Sequence, residues 1–451
     1  GMAGGSYVGA VQWQSAPFRS SFLKCIAPRV ICTDYYTGLM HPGGAFQLGV
    51  MATWGMRTNA RTGQSIAFHD WGEVFRALPL VDLARRAGRD LPFWRDWVEH
   101  PSRDGYWDEF DGERDFGRIA VPALNMGGWY DLYAAQAFTN FNGLRLGGGT
   151  PEARQSKLVV GPWPHALSTS TRTGDVDFGP GSLADLDGLE LRWFDRWLRG
   201  LDNGIAAEAP LRLFIMGTNQ WRDEAEWPLD RTRWEKWHLH SGGRASTVIG
   251  DGVLSPDGPA DEPPDHFTYD PEYPVPTRGG NNCCSPELVP WGPQDQRCVE
   301  MRADVLCYTS EPLAEDLEVT GPVKLVLYAA TDGEDTDWTA KLVDVRPDGY
   351  AMNLCDGILR ARYREGFASP RLLEPGRVYE CEIEVGVTGN VFRQGHRLRL
   401  EVSSSNFPRF DRNLNTGGDL AHGTEMRQAR QTVHHSRAWP SHLVLPVIPA
   451  A

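Results

Sequence analysis

The spacing of apolar positions changes three times along the chain, and each change marks a boundary. Over residues 1–44 a helix from Tyr7 to about Ala16 is followed by LKCIAPRVICTDYY, predicted to carry a buried strand. That alternation is the texture of an α/β sheet. Over residues 45–115 the pattern turns helical and aromatic, and DWGEVFRALPLVDLARRAGRDLPFWRDWVEH repeats its apolar residues at helical spacing. This segment is predicted to be an inserted cap. Over residues 116–230 the α/β texture returns, with IAVPALNMGGWYD and KLVVGPWPH each running from a short apolar strand into a loop. The amphipathic helix LDGLELRWFDRWLRGLDN and the strand PLRLFIMGTNQW complete that part. From residue 231 to 451 only strands are predicted, among them WEKWHLH, VKLVLYAAT, WTAKLVDV, GRVYECEIEV and HRLRLEVSSS. Their turn-punctuated spacing predicts a β-sandwich or jelly roll, with DGVLSPDGPADEPPD as a long surface loop.

A chain of 451 residues, 41% apolar and 11% aromatic, has enough apolar side chains for more than one core. Its net charge of -14 comes from 59 acidic against 45 basic residues with no basic stripe, which argues against nucleic acid as a partner. No apolar run is long enough for a membrane span, and the cytoplasm is the expected compartment. Eight cysteines are too sparse for a disulfide scaffold. Cys283 and Cys284 are adjacent, a spacing read as structural or incidental thiols, neither bridged nor sharing a metal. His434 and His435 are adjacent too and do not share a helix face as HExxH ligands do. No metal and no organic cofactor is expected.

The chemistry is concentrated in three short motifs. A serine hydroxyl becomes nucleophilic when an imidazole takes its proton and a carboxylate orients that imidazole. In α/β-hydrolases these groups follow the chain order Ser, Asp or Glu, His, each after a strand. Ser6, Asp131 and His165 occur in that order, each at the exit of an apolar run. Each also has an ordinary structural reading: a Gly/Ser turn for Ser6, a helix N-cap for Asp131, a loop histidine for His165. The second glycine of the serine motif, Gly9, stands one place later than in the general pattern, with Val8 at the usual position.

GGSYVGAVQWQSA, GGWYD and GPWPH, in this order, resemble the cocaine esterase-like serine hydrolases, relatives of the X-prolyl dipeptidyl peptidases and α-amino-acid ester hydrolases. YDPEYPVPTRGG, TDWTAKLVDVRPDGY, ILRARYREG and SSNFPRFDRN resemble the jelly-roll domain of that group, so the likeness spans nearly the whole chain. In that family the nucleophile motif is Gly-x-Ser-Tyr-x-Gly, which accounts for Tyr7 and the displaced Gly9. The resemblance implies Ser6 as nucleophile, His165 as base and then acid, Asp131 as orienting carboxylate, and the Tyr7 N–H as one oxyanion donor. It also implies a second donor, a tyrosine hydroxyl, from a loop well before the nucleophile. Only five residues precede Ser6, so the expectation is an α/β-hydrolase missing its first strands, with a half-built oxyanion hole and poor activity.

The substrate expected is a small carboxylic ester with an apolar or aromatic acyl group, held by aromatic walls for which Tyr133 and Phe407 are the candidates. Trp94 and Trp97 are read as core. LYAA follows Asp131 with none of the carboxylates that seat a substrate ammonium in amino-acid ester hydrolases, although DEFDGERD of the cap could supply one. An amide acylase or X-prolyl dipeptidyl peptidase is the alternative within the same chemistry. A non-catalytic binding protein is the alternative outside it. A homodimer is a candidate assembly.

Overall fold

The computed structural model describes residues 1–59, 63 and 65–449. Five parallel strands, β1 (Met2–Gly5), β2 (Ile26–Arg29), β3 (Leu124–Gly128), β4 (Lys157–Gly161) and β7 (Leu211–Ile215), lie side by side in that order. An antiparallel strand, β8 (Gln220–Glu224), closes the sheet by pairing with β7. The run PLRLFIMGTNQW, expected as one strand, is therefore a hairpin. Gly217 and Asn219 in its turn have φ of 83° and 53°, the region a tight reversal requires.

Helices join the parallel strands as crossovers. α1 (Tyr7–Ser15) follows β1, α6 (Ala134–Gly147) follows β3, and α7 (Leu186–Arg199) precedes β7. The side chain of Asp185 caps α7 by accepting from the Gly188 N–H, and Gly200 ends it with φ of 69°. Between β4 and α7 a two-residue hairpin forms, β5 (Arg172–Thr173) and β6 (Val176–Asp177).

The segment between β2 and β3 carries the helices α2 (Leu48–Thr58), α3 (Trp71–Arg76), α4 (Leu83–Arg86) and α5 (Pro92–Glu99), with short 3-10 turns between them. Its core includes Trp94, which donates from its indole to the Leu80 carbonyl. Trp97 packs on Phe93.

Eleven strands from residue 233 onward make the second layered unit: β9 (Arg233–His240), β10 (Val253–Ser255), β11 (Asp265–Tyr269), β12 (Leu306–Thr309), β13 (Leu317–Thr331), β14 (Asp337–Val345), β15 (Ala351–Arg360), β16 (Tyr379–Phe392), β17 (Arg397–Ser403), β18 (Ala429–His434) and β19 (His442–Ile448). The pairing runs β11-β18-β13-β19-β9-β10-β12-β17-β14-β15, with β16 on the other side of β13. The fold is an α/β-hydrolase joined to a β-sandwich. Val253–Ser255 fall within the segment expected as surface loop; a strand this short, beside prolines and glycines, leaves little periodicity to read.

The two units share their cores. Trp129, Tyr130 and Phe138 of the hydrolase pack into the same apolar cluster as Leu325, Leu342 and Leu400 of the sandwich. Met216 exchanges backbone hydrogen bonds with Gly389 and Val391 of β16. His435 is fully buried between Asp265 and Glu262, a structural position.

Candidate active site

Ser6 sits between β1 and α1 with φ of 55° and ψ of -130°. A non-glycine residue adopts this backbone only where its surroundings impose it. Here the Ser6 N–H donates to the Arg29 carbonyl while the Ser6 carbonyl accepts from the N–H groups of Gly9 and Ala10, so strand and helix grip the residue from both sides. A Cβ on Gly9 would lie 3.1 Å from the Arg29 carbonyl oxygen and 3.3 Å from that of Gly4. That crowding explains the glycine at residue 9: α1 packs against β1 and β2 at this point. Tyr7 opens α1, so its N–H is among the first-turn donors that lack an intrahelical partner.

Asp131 and His165 come from neighbouring strand exits that are zipped together. The Trp129 N–H donates to the Gly161 carbonyl and the Tyr130 N–H to that of Trp163. Gly128 makes this possible, because the Trp163 backbone lies where a Cβ on residue 128 would stand. Asp131 is 1% exposed. Its Oδ1 accepts from the Tyr133 N–H at 2.8 Å, and its Oδ2 lies 2.6 Å from His165 Nδ1. The carboxylate thus fixes both the following turn and the imidazole, leaving Nε2 as the free ring nitrogen.

The β-sandwich supplies the rest of the wall. Adjacent cysteines 283 and 284 are joined by a disulfide, which corrects the expectation of separate thiols. Adjacency disfavours a bridge because the intervening peptide must reverse sharply, and here Cys284 has φ of 76°. The loop is held on both flanks. Arg57 of α2 donates to the Cys284 carbonyl and to Ser285 Oγ, and the Asn281 amide donates to the carbonyls of Trp129 (2.7 Å) and Asp131 (2.9 Å).

A cavity of about 50 Å³ opens against Ser6. Its lining includes Tyr7, Ala10, Ile31, Tyr35, Leu39, Val50, Met51, Trp54, Tyr133 and both cysteines, an apolar surface with the serine at one end. A ring nitrogen of His165 and the two cysteine sulfurs lie within 4.8 Å of one another, and the Tyr133 ring stands 5.9 Å from the imidazole. Ser6 and His165 therefore approach the same disulfide. The Ser6 hydroxyl makes no hydrogen bond among the described residues, and the side-chain partner of His165 is Asp131. Burial drives the Tyr133 and Tyr35 phenols upward, so both are neutral walls.

Of the residues singled out in the sequence, Ser6, Tyr7 and Tyr133 line this cavity and Asp131 and His165 meet beside it. Phe407 does not. It packs on Phe75 under the guanidinium groups of Arg76 and Arg412. Its place in the aromatic wall is taken by Trp54 and Tyr35, reached through helical and loop segments whose spacing says nothing about tertiary neighbours. Asn281 and the disulfide are equally invisible to motif reading.

A second, larger groove shares Ala10 and Tyr35 with the cavity and is lined by Asp108, Glu109, Asp111 and Asp115. Arg114 pairs with Asp108 and Asp111, Arg103 with Asp111, and Arg118 with Asp115. Glu109 has no ion-pair partner among the described residues.

Residues 1–167 match the X-Pro dipeptidyl-peptidase (S15) family, and residues 203–444 match the X-Pro dipeptidyl-peptidase C-terminal non-catalytic domain. The chain is 38% identical to cocaine esterase of Rhodococcus sp. (strain MB1 Bresler), an alignment covering 99% of this chain and 80% of that protein. Among solved structures, an aminopeptidase from a marine sediment Thaumarchaeota archaeon superposes with a TM-score of 0.85 at 26% identity, covering 99% of this chain and 76% of that one. An α-amino-acid ester hydrolase superposes with a TM-score of 0.83, at the same identity and the same coverage. Among the described residues no helix is long and apolar enough to cross a membrane.

Proposed function

We propose, for a chain that belongs to the X-Pro dipeptidyl-peptidase (S15) and cocaine esterase family of serine hydrolases, that it cleaves carboxylic esters of an apolar or aromatic acyl group through an acyl-enzyme on Ser6. Family membership makes the protein an esterase-type serine hydrolase and sets aside the non-catalytic binding reading. The acyl specificity and the residue roles are the proposal.

Ser6 Oγ attacks the ester carbonyl carbon while His165 Nε2 accepts its proton. Asp131 holds the Nδ1–H and stabilises the imidazolium. The Tyr7 N–H donates to the oxyanion as the tetrahedral intermediate forms. Collapse breaks the ester bond, and His165 returns the proton to the departing alkoxide. Water then repeats the sequence against the acyl-enzyme, regenerating Ser6.

The observation that carries this reading is the pairing of a Ser6 elbow at φ of 55° with an Asp131–His165 hydrogen bond beside one apolar cavity. That cavity is the acyl pocket, because it begins at the nucleophile and offers almost no polar partner. A fluorophosphonate probe tests the assignment: it labels Ser6, and Ser6→Ala abolishes both labelling and turnover of p-nitrophenyl esters. Equal labelling in Ser6→Ala would overturn it.

An amide substrate with a free amine is the second reading, favoured by Glu109 in the groove beside Tyr35. The arginine partners of the other carboxylates weigh against it, since they cancel the charge an ammonium would need. Faster turnover of an X-Pro anilide than of a p-nitrophenyl ester would decide for this reading.

A further inference from the structure

We propose that, once the bond between them is reduced, Cys283 and Cys284 join His165 in a three-ligand site for a thiophilic divalent cation such as Zn²⁺ or Cd²⁺, and that the bound ion shuts the active site. Three features carry this. The sulfurs and a ring nitrogen of His165 already lie within 4.8 Å of one another, so small side-chain rotations bring them around one ion. Nδ1 of His165 is committed to Asp131 at 2.6 Å, which leaves Nε2 as the ring nitrogen free to take an ion and reproduces the carboxylate–histidine–metal relay that orients metal-binding imidazoles. Both cysteines line the cavity that opens against Ser6, so reductant and ion can enter through it and a fourth coordination position faces open space.

The chemistry balances with a dithiol reductant. Its thiolate attacks one cysteine sulfur, the Cys283–Cys284 bond breaks, and a mixed disulfide forms. The reductant's second thiol then displaces the protein, leaving a cyclic disulfide and two protein thiols; two electrons and two protons have passed to the chain. The cation displaces both thiol protons to solvent and binds two thiolates and one neutral imidazole. With Nε2 on the metal, no base is left for the Ser6 proton. That last consequence rests on His165 acting as the base; ion uptake does not.

The test uses the chain in a Cys298→Ser background, which removes the exposed free thiol. After treatment with dithiothreitol and removal of the reductant, Cd²⁺ is titrated and the thiolate-to-cadmium charge-transfer absorption recorded. The reduced protein is expected to bind a single Cd²⁺ per chain with that band, and the untreated protein to show none. Cys283→Ser loses the band. His165→Gln keeps it but binds at least about 10-fold more weakly, since loss of a direct ligand costs no less than the roughly 10- to 100-fold typical of an outer-shell partner. Equal uptake by reduced and untreated protein, no uptake after reduction, or unchanged affinity in His165→Gln would each overturn the site. Fluorophosphonate labelling of the untreated, metal-free protein reports separately on the hydrolase reading. Uptake without loss of that labelling would overturn the shut-off alone.

Discussion

Gly128 and Trp163 approach so closely that a Cβ on residue 128 would stand 2.1 Å from the Trp163 carbonyl oxygen. This contact sets the spacing of the two strand exits that carry Asp131 and His165. Gly128→Ala must push the exits apart, since the obstacle is backbone. The expected cost is about 1–3 kcal/mol of stability, measured by urea unfolding, with a fall in kcat larger than any change in KM. An unchanged kcat would mean that the loops are placed by other contacts.

Asp131→Asn keeps the shape of the side chain and removes its charge. An amide there can face Nδ1 with its N–H₂ group and hold the wrong tautomer. The expected loss in kcat is about 10⁴-fold with KM little altered, read from steady-state ester hydrolysis.

Asn281 reaches from the sandwich to the carbonyls of Trp129 and Asp131, both buried. Asn281→Ala strands the Trp129 carbonyl, while that of Asp131 keeps the Ala134 N–H, at a cost of about 1–3 kcal/mol. If part of that appears in the transition state, kcat falls about tenfold. The prediction is a kcat effect with steady KM and an altered pH–rate profile; a change in melting temperature alone would assign Asn281 a purely structural role.

Trp54 and Met51 border the cavity that Ser6 also lines. Trp54→Ala enlarges it, so the ratio of kcat/KM for a bulky aromatic ester to that for an acetyl ester should rise. Methylene-sized discrimination in such pockets is worth about 1–3 kcal/mol, or 10- to 200-fold. An acetyl preference that survives the substitution would place the acyl group elsewhere.

His41 is buried, with Nε2 on the Trp97 carbonyl and no partner for Nδ1. Burial lowers its pKa to about 4 from an ordinary 6.5. The unfolded chain therefore binds a proton in the window between these values that the folded chain refuses. Stability is complete above about pH 6.5 and falls as the pH drops towards 4, by roughly 3 kcal/mol at the lower end. Urea midpoints between pH 4 and 7 should show a shallower acid-side slope in His41→Phe than in the parent.

Which features could be read from the chain follows from the range of the forces behind them. The junction at Ser6 and the strand exits before Asp131 and His165 are legible because short apolar runs bounded by glycine or proline admit few local conformations. The amphipathic helix at Leu186–Arg199 is legible for the same reason, through its period and its terminal glycine. The Cys283–Cys284 bridge, the Asn281 clamp and the burial of Phe407 depend on segments more than a hundred residues apart in the chain packing together, which no local pattern records. β10 escapes notice because three residues are too few for a period.

The disulfide loop and Asn281 belong to the sandwich, whereas Ser6, Asp131 and His165 belong to the hydrolase sheet. The three proposed catalytic side chains thus lie in one folding unit, which also supplies most of the cavity wall, and the sandwich adds the disulfide to it. Under the proposed reading, changes in that one loop reshape a single patch of the acyl pocket while the three proposed catalytic side chains stay on their own strands.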